Sequence, residues 1–431
     1  MWPPSLQEVT FGDEFHQPIA AVTWSASLQQ LDLGSKFNQP IDGVQWPASL
    51  QALSFACFDH PIAEVVWPAS LQRLSLGPKF NQSITGVTWP PSLQQLGFGF
   101  KFNPSIDEPI AEVIWPTSLR QLSFGGTFNQ PIAPVVWPAS LQELTFGTNF
   151  DQSIAEVVWP ASLSRLTFGS NFNQPVEEVT CPASITMLSL GRGFNQRIAA
   201  VAWPASLQQL DLGTHFNQPI AGVQWPALLQ ALSFKCFDQP IADVVWPAAM
   251  QRLSLGPKFS QTLDGVVWPA SLQRLEFGFA FNYPIDELIV GIVWPDSLQQ
   301  LSFGWKFNQP ITEVMWPASL QRMSFGWHFN HLIAEVLWPA SLQQVEFAVI
   351  FNQPIAEVKS PDSLQRLSFG FGFNQPIAEA VWPASLVQLE FGKDFNQPVN
   401  EGVWPAFLRQ LKFGEKFNQP VVGSIWPEFL R

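Results

Sequence analysis

One phrase, Trp-Pro-x-Ser-Leu-Gln-x-Leu-x-Phe-Gly-x-x-Phe-Asn-Gln-Pro-Ile, returns about nineteen times along 431 residues, normally every 22. A unit this short cannot bury its own apolar side and must stack on its neighbours. The period therefore overrides the two to four domains that the length alone suggests. It predicts a repeat solenoid: a stack of about nineteen short coils over residues 1–431, with one parallel β-sheet, an extended or turn-like back and little α-helix.

The segment from Trp24 to Gln45 shows how one coil is built. Leu31-Asp32-Leu33 alternates as a short strand does, with Gln30 and Asp32 outward, and Gly34 ends it. The aromatic site that follows is Phe in all nineteen coils, from Phe15 and Phe37 to Phe417. Surface positions do not hold one bulky apolar type so strictly, so a buried ladder is expected. The next residue is usually Asn, as at Asn38, Asn129 and Asn374. With a donor and an acceptor on a short arm, it suits a ladder that satisfies turn backbone groups from coil to coil. Pro40 and Pro47 oppose a helix on the back of the coil. Trp heads every repeat except those starting at Cys181 and Ser360. A corner Trp is expected to bury its ring while its N–H reaches a partner.

Phe37-Asn38-Gln39-Pro40-Ile41, with Pro47, Ser49, Leu50 and Leu53, resembles the FNIP repeat, a leucine-rich-repeat-like solenoid family. The resemblance spans essentially the whole chain. It departs from the family pattern at the Trp before Pro, where a smaller aliphatic residue is more usual. It implies a solenoid used for protein contacts and supplies no catalytic residues.

The coil lengths carry a second period. Intervals between repeat starts from position 24 run 22, 21, 22, 26, 22, 22, 22 and 22 residues, and the series begins again at position 203. An offset of 179 residues relates Cys57 to Cys236, Phe100 to Phe279 and Cys181 to Ser360. An eight-coil block, 24–202, is thus duplicated as 203–381. Each long coil gains four residues after Asn103 or Asn282, and neighbours that hold the core register must expel such an insertion as a loop. Asp107 and Glu108 in the first loop, and Tyr283, Asp286 and Glu287 in the second, are candidate contacts; a neutral bulge is the alternative.

Other surfaces are legible. The first turn position after the strand is apolar at Trp305, Trp327, Val349 and Phe371, each 22 residues from the next. Stacked coils bring such residues into a column at a spacing of roughly 5 Å. If exposed, that column is a protein contact; if the turn is broad, it folds onto the core. The outward strand positions are Gln, Arg, Ser and Thr, a polar face able to take an extended peptide or a polysaccharide. A row including Glu64, Glu112, Glu156, Glu313, Glu335, Glu357 and Glu379 is expected at a solvated edge, because like charges one coil apart repel.

Composition narrows the functions. A formal charge of −13 disfavours nonspecific binding to nucleic acid or to an anionic membrane. No apolar run reaches the roughly 18 residues needed to span a bilayer. Cys57, Cys181 and Cys236 have no partner at metal-ligand spacing, and cysteine usage fits a cytoplasmic or other intracellular compartment. His16, His60, His215, His328 and His331 fall mostly at turn sites or at Asn and Gln positions, without a converging acid or base. The expectation is a structural or protein-interaction scaffold, without cofactor or metal, that binds a protein partner. A carbohydrate-binding solenoid is the alternative, and a polysaccharide-acting β-helix enzyme or an ice-binding array stands further off. Neither chain end carries a polar cap, which fits a shortened chain or an end that stacks on another molecule.

Overall fold

The computed structural model describes residues 2–104, 110–285, 292–400 and 402–430. Among them nineteen strands of three residues recur, one per coil, and a 3₁₀ turn at Ile110–Glu112 is the one helical element. The chain forms two compact units, Met1–Phe216 and Asn217–Arg431. The first holds strands β1 (Glu8–Thr10) to β10 (Gln209–Asp211) and the second β11 (Ala231–Ser233) to β19 (Gln410–Lys412). Within each unit every strand pairs in parallel with its sequence neighbour, residue for residue: Leu31 faces Leu53, and Met323 faces Val345. This is the stacked solenoid expected from the period, in the leucine-rich-repeat-like form that the FNIP resemblance implies.

Outside the strand, three tight turns close a coil. In the coil containing Trp316 the N–H of Phe307 donates to Gly304 O at 3.2 Å, that of Val314 to Ile311 O at 3.4 Å, and that of Leu320 to Pro317 O at 3.1 Å. Each turn returns an apolar residue to the interior: Phe307, Ile311 and Leu320 are 0% exposed and Val314 1%. Pro317 serves here by fixing φ at the start of a turn. The glycine after the strand allows close approach of neighbouring coils. A Cβ on Gly125 would overlap the carbonyl of Gly99.

The phenylalanine ladder is buried as expected. Phe128, Phe150 and Phe172 are fully buried, with ring centroids 6.0 and 6.2 Å apart and planes within 9° of parallel. Rings at the strand ends form a second row: Phe146 lies 4.1 Å from Phe150 and 5.5 Å from Phe168. Phe15 and Phe417 have a neighbouring ladder ring on one side and are half-buried.

The asparagine ladder exists, with a simpler chemistry than expected. Asn129 Oδ1 accepts from Asp151 N–H at 2.9 Å and from Gln152 Nε2 at 3.1 Å, while Asn129 N–H donates to Asn103 Oδ1 at 3.0 Å. The row runs through the acceptor oxygen. Asp59, Asp151 and Asp238 therefore serve at the same position, each receiving the next backbone N–H at 2.8–2.9 Å. Histidines join the row as substitutes for Gln: His60 Nε2 lies 3.1 Å from Asn38 O and His331 Nε2 3.0 Å from Asn308 O. The motif serine forms a further ladder, Ser162 Oγ donating to Leu141 O and Ser319 Oγ to Leu298 O.

The tryptophan corner needs a correction. Neighbouring indoles stack, as between Trp115 and Trp137 at 6.2 Å and 18°. Each also meets a strand-end Phe edge-on, as Trp115 meets Phe124 at 6.3 Å and 84°. Fifteen of these indoles, however, bury Nε1 with no protein acceptor in reach. The expected partner for the indole N–H is therefore not supplied by the protein at these corners. An unpaired donor costs about 1–3 kcal/mol. Burying an indole and placing it in both stacked and edge-on contact offsets that cost.

Candidate functional site

In most coils the turn after the strand is organised by one backbone bond: the second turn residue donates to the carbonyl of the first turn residue of the coil before. In the second unit the N–H of Lys306 donates to Phe279 O at 2.9 Å, His328 to Trp305 O at 2.9 Å, Ile350 to Trp327 O at 3.2 Å and Asp394 to Phe371 O at 2.8 Å. Gly372 N–H donates to Val349 O at 2.6 Å in the same series. This register places the first turn positions in a column. Phe279 and Trp305 stack at 5.4 Å and 19°, and Trp305 and Trp327 at 4.2 Å and 18°. Lys306 Nζ lies 5.9 Å from the Phe279 ring centre, and His328 meets Trp305 edge-on at 6.3 Å.

The column reaches the surface. Phe279 is 46% exposed, Trp305 38% and Phe371 57%, while Trp327 and Val349 are half-buried. The rings pack on one another rather than folding into the core. Phe279, absent from the sequence-based stripe, begins the column; the 26-residue coil between it and Trp305 hides the spacing. In the first block the positions 179 residues earlier read Phe100, Gly126, Thr148, Ser170 and Arg192. There Phe100 is 59% exposed and lies over Gly126, where a Cβ would collide with its ring. The aromatic extension belongs to the second block alone.

Tyr283, 41% exposed, occupies the Gln position of its coil. Asp107, Glu108, Asp286 and Glu287 lie outside the described residues. The glutamate row from Glu64 to Glu379 is exposed throughout, as expected of a solvated edge.

Two residues beyond most positions of this row is a feature that sequence reasoning missed. The residue before the corner Trp points outward and is commonly apolar: Val66 is 82% exposed, Ile114 86%, Val136 79% and Met315 62%. Extended chain between the buried Val and the Trp forces this alternation. A run such as Val65-Val66-Trp67 holds no polar residue to mark the outward position.

The sheet face forms polar troughs. One of about 560 Å³ in the first unit runs over Arg73, Gln95, Gln121, Glu143 and Thr145. Another of about 300 Å³ in the second unit is lined by residues including Arg274, Glu276, Arg322 and Glu346. No aromatic ring lines either. Among the described residues no group of three or more His, Cys, Asp or Glu is placed to hold a metal ion, and no helix is long and apolar enough to cross a membrane.

The FNIP Repeat family model matches residues 107–149, 128–171, 150–193, 172–215 and 351–394. The crystal structure of CroV588, a circular leucine-rich-repeat protein, is 39% identical over 100% of this chain and 69% of that one, with a TM-score of 0.79. The chain belongs to the FNIP-repeat solenoids of the leucine-rich-repeat class. YopM from Yersinia enterocolitica (17% identity, TM-score 0.55, covering 99% of this chain and 84% of that one) shares the fold. So does a chain of the mouse RP105/MD-1 complex (14%, TM-score 0.54, 95% and 76%). No curated protein matches the sequence.

Proposed function

We propose that this FNIP-repeat protein is a non-catalytic scaffold that binds a protein partner through the aromatic column of its second unit. The carrying observation is the run Phe279–Trp305–Trp327, stacked at 5.4 and 4.2 Å and open to solvent, where the first block has Phe, Gly and Thr. Rigid aromatic rings already held by their neighbours lose little entropy on contact and anchor interfaces strongly. A fold relative found in the RP105/MD-1 complex supports assembly with another protein as a use of this architecture. The acidic balance argues against nucleic acid as that partner. Three unpaired cysteines support an intracellular setting. The carbohydrate alternative draws less support, because the polar troughs offer no ring on which a sugar can stack.

Trp305→Ser combined with Trp327→Ser tests the reading. Partner capture from native extract should fall at least tenfold, as expected for hot-spot truncation, with the melting temperature nearly unchanged. Lost stability with retained capture would overturn it, as would unchanged capture with a glycan array that responds to the sheet face.

A further inference from the structure

The corner column has one break in each duplicated block, at Cys181 and at Ser360. In the second unit the break is a notch. Trp338 and Trp382 lie on either side of it, two coil steps apart, and a space of about 30 Å³ opens between them. Apart from Ser360 its walls are apolar, with Phe347, Phe369 and Leu367 at the back. The core residues behind the notch stay buried, Leu367 at 6% and Ala380 at 8% exposure.

The surroundings of the missing ring are defined by the coils that have one. A corner indole lies parallel to its neighbours, as Trp268 does on Trp294 at 6.2 Å and 8°, and meets strand-end Phe rings edge-on. Around Ser360 the same four surfaces are in place. Trp338 meets Phe347 at 6.4 Å and 82°, and Trp382 meets Phe369 at 6.5 Å and 71°. At Ser360 two indoles and two phenyl rings line a space with no ring in it.

We infer that the notch at Ser360 is a binding site for one neutral, planar aromatic small molecule of indole size. Apolar cavities in proteins accept ligands of the shape removed from them. Stacked and edge-on contacts add orientation to the burial of apolar surface. A ring is larger than the space now open, so its entry moves the lip. Val381, a lining residue that is 72% exposed, is free to yield outward. A charged ring substituent inside the notch is excluded, because no charged side chain lines it; the polar groups of the wall's side chains are the Ser360 hydroxyl and the indole N–H groups of Trp338 and Trp382.

Calorimetric titration with indole tests the site. The wild-type protein should bind one equivalent with a Kd of about 0.1–1 mM, the range open to a ligand with so few heavy atoms. Indole should also raise its melting temperature. Ser360→Trp should weaken binding at least about tenfold by filling the site, and Ser360→Ala should leave it within about twofold. Ser360→Leu is the equivalent block if the Trp variant does not fold. Trp305→Ser with Trp327→Ser should leave indole affinity unchanged, which separates this site from the aromatic turn column. The inference is overturned by the absence of saturable binding, by equal binding to both blocked variants, or by a soaked crystal with the ring anywhere but between Trp338 and Trp382.

Discussion

The row of turn amides shows how one atom decides which residues a repeat position accepts. Its function is to receive a backbone N–H from the next coil, so the position needs an acceptor on a short arm and not a donor: Asn129 and Asp151 offer an oxygen, and His16 offers Nδ1 to the Asn38 N–H. Asn129→Ala should expose this. The Asp151 N–H loses its partner, costing about 1–2 kcal/mol, and its hydrogen exchange should accelerate. Asn129→Asp should restore protection, because native Asp151 already serves in this way. Cys181 shows a different control by surroundings. Burial pushes its thiol from 9.0 up to about 11, so it keeps its proton at pH 8–9. Alkylation by iodoacetamide there should be about a hundredfold slower than in the urea-unfolded chain, where the thiolate is available. The unfolded thiol ionises above 9.0 while the folded one does not. Its contribution to stability is therefore intact below 9.0 and declines as the pH rises toward 11.

Within a coil, the segment that leads into the corner alternates as strictly as the strand. Val135 is 3% exposed and Val136 79%, although the two are chemically identical neighbours. Val135→Ser should destabilise by about 2 kcal/mol through lost burial and an introduced hydroxyl. Val136→Ser should stay within about 0.5 kcal/mol of wild type. Urea unfolding of the pair measures this directly, and equal effects would contradict the alternation. The strand, its three turns and the Asn, Phe, Ser and Trp ladders were legible because each repeats at one period with one residue type. The outward valines were not, since a run such as Val135-Val136-Trp137 has no polar residue to mark the exposed position.

Across the molecule, acidic residues exceed basic ones by 13, and part of that excess is arranged in rows. Glu313, Glu335, Glu357 and Glu379 are exposed at the same position of successive coils. The repulsion between neighbours is screened by salt. Raising NaCl from about 0.05 to 0.5 M shortens the Debye length from roughly 14 to 4 Å, so the melting temperature should rise. Lys36–Glu14, Lys393–Glu415 and Lys416–Asp394 are exposed ion pairs that salt weakens, but such pairs contribute little. A melting temperature that falls with salt would place the balance with those pairs instead.

The period, the residue held at each ladder and the position of every irregular coil are properties of the sequence. A 22-residue unit has one way to bury its apolar side, against copies of itself, and that requirement determines the stack before any coordinate is known. Tertiary structure alone decided which apolar residues stay outside. Trp305 and Trp115 are the same residue type. One extends an exposed column because a backbone bond holds its turn at the surface; the other is buried because the chain around it alternates inward at the corner. Likewise, Ser360 reads as one substitution in a long repeat, and becomes a notch because Trp338, Trp382, Phe347 and Phe369 already surround the place a ring would fill.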